Sequence, residues 1–231
     1  MLTEEDYKNG QVLLIDKPLQ WTSFQAVNKL RWAIRQAFSI KKIKVGHAGT
    51  LDPLATGLLV ICTGKMTKQI NTFQGQEKEY TGTFILGGTT PSFDLETEID
   101  QTFQTAHITD DLIHKTTHQF IGKIEQFPPI FSAIKKDGKR LYEFARAGET
   151  VEIKSRQVEI TEFEITSITN LELKFRVVCS KGTYIRSLAH DFGKALNSGA
   201  HLSELRRTRI GEFSVESAFT PEGFIENLPK T

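Results

Sequence analysis

Five short runs of strand-type residues, unevenly spaced along the chain, constrain its fold more than any other feature. Residues 11–16 (QVLLID) and 58–62 (LLVIC) are apolar enough to be buried strands. Residues 78–86 alternate. So do 171–179, where Leu171, Leu173, Phe175, Val177 and Cys179 face one way and Glu172, Lys174 and Arg176 the other. With 158–168 this last run reads as a hairpin. Helical spacing is found in two main places. After an N-cap at Thr22 or Ser23 come Val27, Leu30, Ile34 and Phe38, with Lys29, Arg31 and Arg35 on the other side. After a turn at 180–183 come Ile185, Leu188, Ala189, Phe192, Ala195 and Leu196. Strands at irregular intervals with few helices fit an α+β fold, not regular βαβ repetition. Residues 40–45 are β-prone, 46–57 (GHAGTLDPLATG) read as loop, and 87–104 as acidic surface loops. Residues 126–146 leave the main body as a basic, aromatic excursion opened by Pro128 and Pro129.

A chain of 231 residues can bury a sizeable core. It has neither a long apolar stretch nor a signal-peptide pattern, so the expectation is a cytoplasmic protein. Cys62 and Cys179 lie in apolar runs and are expected to be buried free thiols. The net charge of +1 hides a strong segregation. Residues 17–78 hold ten Lys/Arg against two acids, 174–209 hold eight against two, and 79–122 hold seven acids against one Lys. Two basic blocks of this kind are what a phosphate-binding surface needs, although each alone also fits a solvated face.

Common chemistries fail on spacing. Residues 57–65 lack the P-loop pattern: Leu59 and Met66 stand where Gly and Ser/Thr are required. No dinucleotide fingerprint follows a strand, and no G-x-S-x-G elbow is present. His114 and His118 are four apart, but no third metal ligand accompanies them. What remains is Asp52, in a glycine-bracketed loop that also carries His47 and leads into a buried strand. An Asp-Pro pair can simply start a turn. A carboxylate used for chemistry there would need a cation to stay ionised once desolvated, and Arg186, at the start of a helix, is one candidate.

The loop GHAGTLDPLATGLLVICTGKMTK resembles the catalytic loop of the TruB family of tRNA pseudouridine synthases. Five further segments match family motifs in order: LLIDKPLQWTSFQAV, with Lys17 and Pro18 in place, KEYTGTFILGGTTPSFD, QFPPIFSAIKKDGKRLYEFARAG, CSKGTYIRSLAHDFG and GAHLSELRRT. Together they span roughly residues 10 to 215. The resemblance implies a pseudouridine synthase fold: a central mixed, mostly antiparallel sheet flanked by helices and loops, with a thumb-like RNA-binding insertion at about 124–152. It implies that a uridine's glycosidic C–N bond is broken and a C–C bond made through C5, with no cofactor and no metal. It implies tRNA as partner, through its T stem-loop, and neither a protein partner nor a membrane. It also implies a monomer. By motif position Asp52 corresponds to the nucleophile and Arg186 to the arginine pairing with it. Tyr80 corresponds to the tyrosine stacked on the target base, which is the candidate for removing the C5 proton. His47 corresponds to a histidine contacting the T-loop nucleotides, and Tyr184 and Leu205 to residues lining the uridine site. Many family members continue into a C-terminal PUA domain. This chain stops soon after the last shared motif, so the expectation is one catalytic domain over 1–231 with no PUA domain, distinct from the longer guide-RNA-dependent relatives. The competing readings are a non-catalytic tRNA-binding module and an aspartyl-phosphate hydrolase, which would need acid pairings that the chain lacks.

Overall fold

The computed structural model describes residues 2–136 and 138–229. Asp137, inside the expected thumb, lies outside the described residues. The chain forms two compact units, one of residues 1–80 with 205–231 and one of residues 81–204. The fold is α+β, a mixed and mostly antiparallel sheet with flanking helices.

In the first unit the chain runs through α1 (Glu4–Asn9), β1 (Val12–Lys17), α2 (Ser23–Ala37), β2 (Val45–His47), β3 (Ala55–Thr63), α3 (Ile70–Gly75) and into β4 (Lys78–Leu86). Strand β1 pairs antiparallel with β3, Val12 opposite Cys62 and Lys17 opposite Gly57. Strand β2 adds antiparallel to β3. The apolar run of β3 is explained by its two covered faces. Leu59 and Ile61 point into a core under α2 with Leu13, Ile15, Val27, Leu30 and Ile34. Leu58 and Val60 point the other way, to Ala48 and Ile210 with Phe73 and Phe213. Of the two N-cap candidates it is Thr22 that caps α2, through a reciprocal capping box with Gln25. The basic residues 40–44 are not strand. Pairing starts only at Val45 and takes in Gly46 and His47, so the irregular loop shrinks to 48–54.

The second unit continues from β4 into β5 (Gly88–Thr89), β6 (Gln101–Thr102), α4 (Asp110–Thr117), β7 (Gly122–Gln126), β8 (Lys135–Lys136), β9 (Lys139–Arg140), α5 (Leu141–Ala147), β10 (Arg156–Thr169), β11 (Glu172–Cys179) and α6 (Ile185–Ala195), then enters β12 (Ala200–Ile210). Its strands follow the order β12-β4-β11-β10-β7. The hairpin of β10 and β11 forms as the alternation predicts. Phe84, Phe120, Phe163, Phe175 and Phe192 interlock beneath α6, with Phe84 and Phe175 stacked at 4.1 Å between ring centroids. Beyond residue 205 the chain returns to the first unit, ending in β13 (Phe213–Ser214) and α7 (Pro221–Glu226). Cys62 and Cys179 are buried and are not joined in a disulfide. Among the described residues no helix is long and apolar enough to cross a membrane, and no cluster of three His, Cys, Asp or Glu is placed to hold a metal.

Candidate active site

The loop carrying Asp52 is tied down on several sides within the first unit. The hydroxyl of Ser23, first residue of α2, accepts from Leu51 N at 2.8 Å and donates to Leu51 O at 3.1 Å. The amide of Gln20 donates to Pro53 O. Arg207 of β12 reaches across with its Nε to Leu58 O at 2.8 Å and a terminal nitrogen to Gly49 O at 3.1 Å. The amide of Ala55 donates to Asp52 O, so the Asp-Pro turn of the plainer reading does exist. It is this turn that presents the carboxylate.

The close approach of β3 to β12 requires Gly57. It has φ +100°, and a Cβ there would meet the Arg207 carbonyl oxygen at 2.3 Å. That contact fixes the parallel pairing that sets Leu205 opposite Ala55. Next along β12, Thr208 donates to Glu79 of β4, the neighbour of Tyr80. Asp52, Leu205 and Tyr80 are thus carried on neighbouring segments: the loop leading into β3, β12 beside it, and β4 beside β12. Asp52 and Leu205 are half-buried and Tyr80 is buried.

Two fully buried cations belong to this site. Lys17 donates to Pro18 O and to Trp21 O, and Arg207 makes the contacts above. Burial pushes the Lys17 ammonium down to about 8. The Asp52 carboxylate works against that shift, the Arg207 charge adds to it, and Asp16 opposes it more weakly. Burial likewise lowers the His47 imidazole, offset in part by the Gly49 backbone and reinforced by the Arg207 charge, which favours the neutral ring. The Lys17 shift has a consequence for stability. Folded Lys17 loses its proton near pH 8, whereas in the unfolded chain it does so near 10.5. Between those values the unfolded chain holds more protons, so stability rises with pH. Urea unfolding of wild type against Lys17→Met should show their difference shifting in favour of wild type by about 2 kcal/mol from pH 8 to 10. A pH-independent difference would contradict it.

The second unit holds the other two expected residues. Arg186 sits in the first turn of α6, where the helix dipole disfavours a cation. It is buried and compensated: its Nε lies 3.5 Å from an Asp94 carboxylate oxygen, and Nη1 donates to Ser92 O and Phe131 O. The loop bearing Asp94 is built for this. Phe93 adopts φ +65° and stacks on His190 with ring centroids 4.0 Å apart. The hydroxyls of Thr90 and Ser92 both donate to the Asp94 backbone carbonyl, while Glu96 N donates to the carboxylate oxygen that does not face Arg186. Residues 87–104 are therefore not simply surface loops. Their Thr and Ser hydroxyls replace water for a folded turn that buries an acid.

Tyr184 is held by backbone and ring together. Gln126 of β7 accepts from Tyr184 N at 2.7 Å and donates to its carbonyl at 3.0 Å. Arg156, opposite Gln126 in the β7–β10 ladder, lies with its guanidinium 4.3 Å from the Tyr184 ring centroid. Asp94, Gln126 and Arg156 were not among the residues expected from sequence. Asp94 does fall within the motif KEYTGTFILGGTTPSFD, which was the available signal.

Comparison with known proteins agrees with this architecture. Residues 35–185 match the model of the TruB family pseudouridylate synthase N-terminal domain, and residues 186–228 match that of the tRNA pseudouridylate synthase B C-terminal domain. The tRNA pseudouridine synthase B of Flavobacterium johnsoniae is 67% identical over 228 residues, covering 98% of this chain and 100% of that one. The protein of the same name from Phocaeicola vulgatus is 58% identical, over 96% and 95% of the two chains. Among solved structures, a chain of a Cbf5-Nop10-Gar1 complex superposes with a TM-score of 0.72 at 31% identity, covering 96% of this chain and 55% of that one. An H/ACA RNP bound to a substrate RNA containing 2'-deoxyuridine gives 0.68 at 29% identity, covering 95% and 53%. This chain spans about half the length of those two structural relatives. By these matches the chain belongs to the TruB family of pseudouridylate synthases.

Proposed function

We propose that this enzyme isomerises uridine to pseudouridine in the T-loop of tRNA, at position 55. The observation that carries the reading is the Asp52 loop. Ser23 of α2, the Gln20 amide and Arg207 of β12 all bond to it, and the fully buried cations of Lys17 and Arg207 lie beside it. A carboxylate fixed in this way can act as a covalent catalyst without the reorganisation that a free loop would need. The target uridine leaves its stack to reach it, at a cost of a few kcal/mol, and stacking on an aromatic ring returns about 1–3 kcal/mol. In this reading Asp52 is the nucleophile and Arg186 is its ionic partner. Tyr80 stacks on the uracil and takes the C5 proton. His47 contacts the T-loop nucleotides, and Tyr184 and Leu205 line the uridine site.

The C1'–N1 bond breaks, the uracil turns, and C1' bonds to C5. C5 gives up its hydrogen as a proton and N1 gains one, so the reaction balances with no oxidant or metal. The thumb at 124–152 adds grip on the RNA, and the protein works in the cytoplasm as a monomer without a protein partner. The test is purified protein with tRNA tritiated at uridine C5, in the presence of EDTA. Stoichiometric release of tritium is expected. Tight tRNA binding with no release would leave a binding module instead.

A further inference from the structure

Helix α2 has an outer face that neither the core nor the Asp52 loop uses. Ala26, Val27, Leu30, Ala33 and Ile34 turn inward. Two adjacent rows at helical spacing are left on the outside: Phe24, Asn28, Arg31 and Arg35, and Gln25, Lys29, Trp32 and Gln36. Phe24 is 65% exposed and Trp32 is 56% exposed. Single exposed apolar residues are ordinary. Here two large aromatics share one helix face with cations, and the Lys29 ammonium lies 5.9 Å from the Trp32 ring centroid. The charge in their own stretch of chain is of one sign, with six Lys/Arg and no acid in residues 18–51.

This face is also fixed to the proposed site. Ser23, beside Phe24, holds both polar groups of Leu51, and Gln20, beside the 54%-exposed Leu19, bonds Pro53. From there α2 extends for about 22 Å at 1.5 Å per residue.

We propose that the outer face of α2 is an RNA-docking surface that holds the strand flanking the target uridine. Lys29 and Arg35 take its phosphates, and Trp32 and Phe24 stack on unpaired bases. The proposal rests on the reading of the protein as a tRNA-modifying enzyme. Aromatics interleaved with cations are the pattern of a single-strand nucleic-acid platform. Three apolar residues are too few for a membrane-inserting face, and the absence of acids from residues 18–51 favours a polyanion over a protein surface of mixed charge.

The test is steady-state turnover of unmodified tRNA over a range of salt. Lys29→Ala/Arg35→Ala should raise KM about tenfold near 0.1 M salt, hold kcat, and reduce the slope of log KM against log salt by about 1.4–1.8. Trp32→Ala should raise KM about fivefold or more, with Trp32→Phe restoring it. With Trp21→Phe leaving Trp32 as sole reporter, tRNA should quench its emission. Wild-type KM and salt slope in these variants, with turnover intact, would overturn the surface and leave the enzymatic reading standing. A wild type that neither binds nor turns over tRNA would remove both.

Discussion

Asp52→Asn is expected to lower kcat by at least about a thousandfold while tRNA affinity stays within about twofold of wild type. Shape is kept, because the turn is made by backbone atoms: Ala55 N still donates to Asp52 O, and Ser23 still holds Leu51. What is lost is an anionic oxygen able to bond covalently to the nucleotide. The same change has a second, independent signature. The Asp52 carboxylate helps to keep Lys17 charged, against burial and against Arg207. In the Asn variant the Lys17 ammonium should therefore titrate below its wild-type value of about 8. A substituted protein that turned over at the wild-type rate would remove Asp52 from the chemistry altogether.

Asp94→Ala should be the most destabilising single change around Arg186, costing about 3–5 kcal/mol because it takes a buried carboxylate away from a buried guanidinium. At about 2–4 °C per kcal/mol for a chain of this size, Tm should fall by roughly 6–20 °C. The cause is local. Asp94 compensates Arg186, which the α6 dipole disfavours, and its other oxygen holds Glu96 N. Arg186 in turn donates to Phe131 O, and its neighbour Ser187 donates to Phe127 O, so the root of the thumb segment is fastened to the start of α6. Activity should fall together with Tm. Asp94→Asn, which keeps the acceptor for Glu96 N but not the charge, should lie between. Thermal unfolding followed by circular dichroism reads both variants, and a wild-type Tm for Asp94→Ala would contradict the pairing.

Much of this was legible in residue order. Strand β3 showed itself as an unbroken apolar run because it is covered on both faces, and β10 and β11 alternated because one face of each is solvated. Thr22 announced α2 as one of two N-cap candidates ahead of apolar residues at helical spacing. Features set by distant contacts were harder to see. Gly57 looked like a loop glycine, yet it lies inside a strand because Arg207, 150 residues later in the chain, needs the space. The segment from Thr89 to Asp94 has the composition of a solvated loop. It is buried by distant contacts with Arg186, His190 and Leu202, which nothing local could reveal. Lys17 was visible only as part of a motif, since its burial follows from the carbonyls of Pro18 and Trp21 closing around it. Strand β12 was missed as a strand because its polar and charged residues mask the apolar signal.

The most direct measurement is to locate the product. Unmodified tRNA is incubated with the purified protein alone in EDTA, and pseudouridine is mapped nucleotide by nucleotide. The account predicts near-complete conversion at the T-loop uridine and none when Asp52→Asn replaces the wild type. Conversion at other uridines only, or equal conversion by the Asn variant, would contradict it.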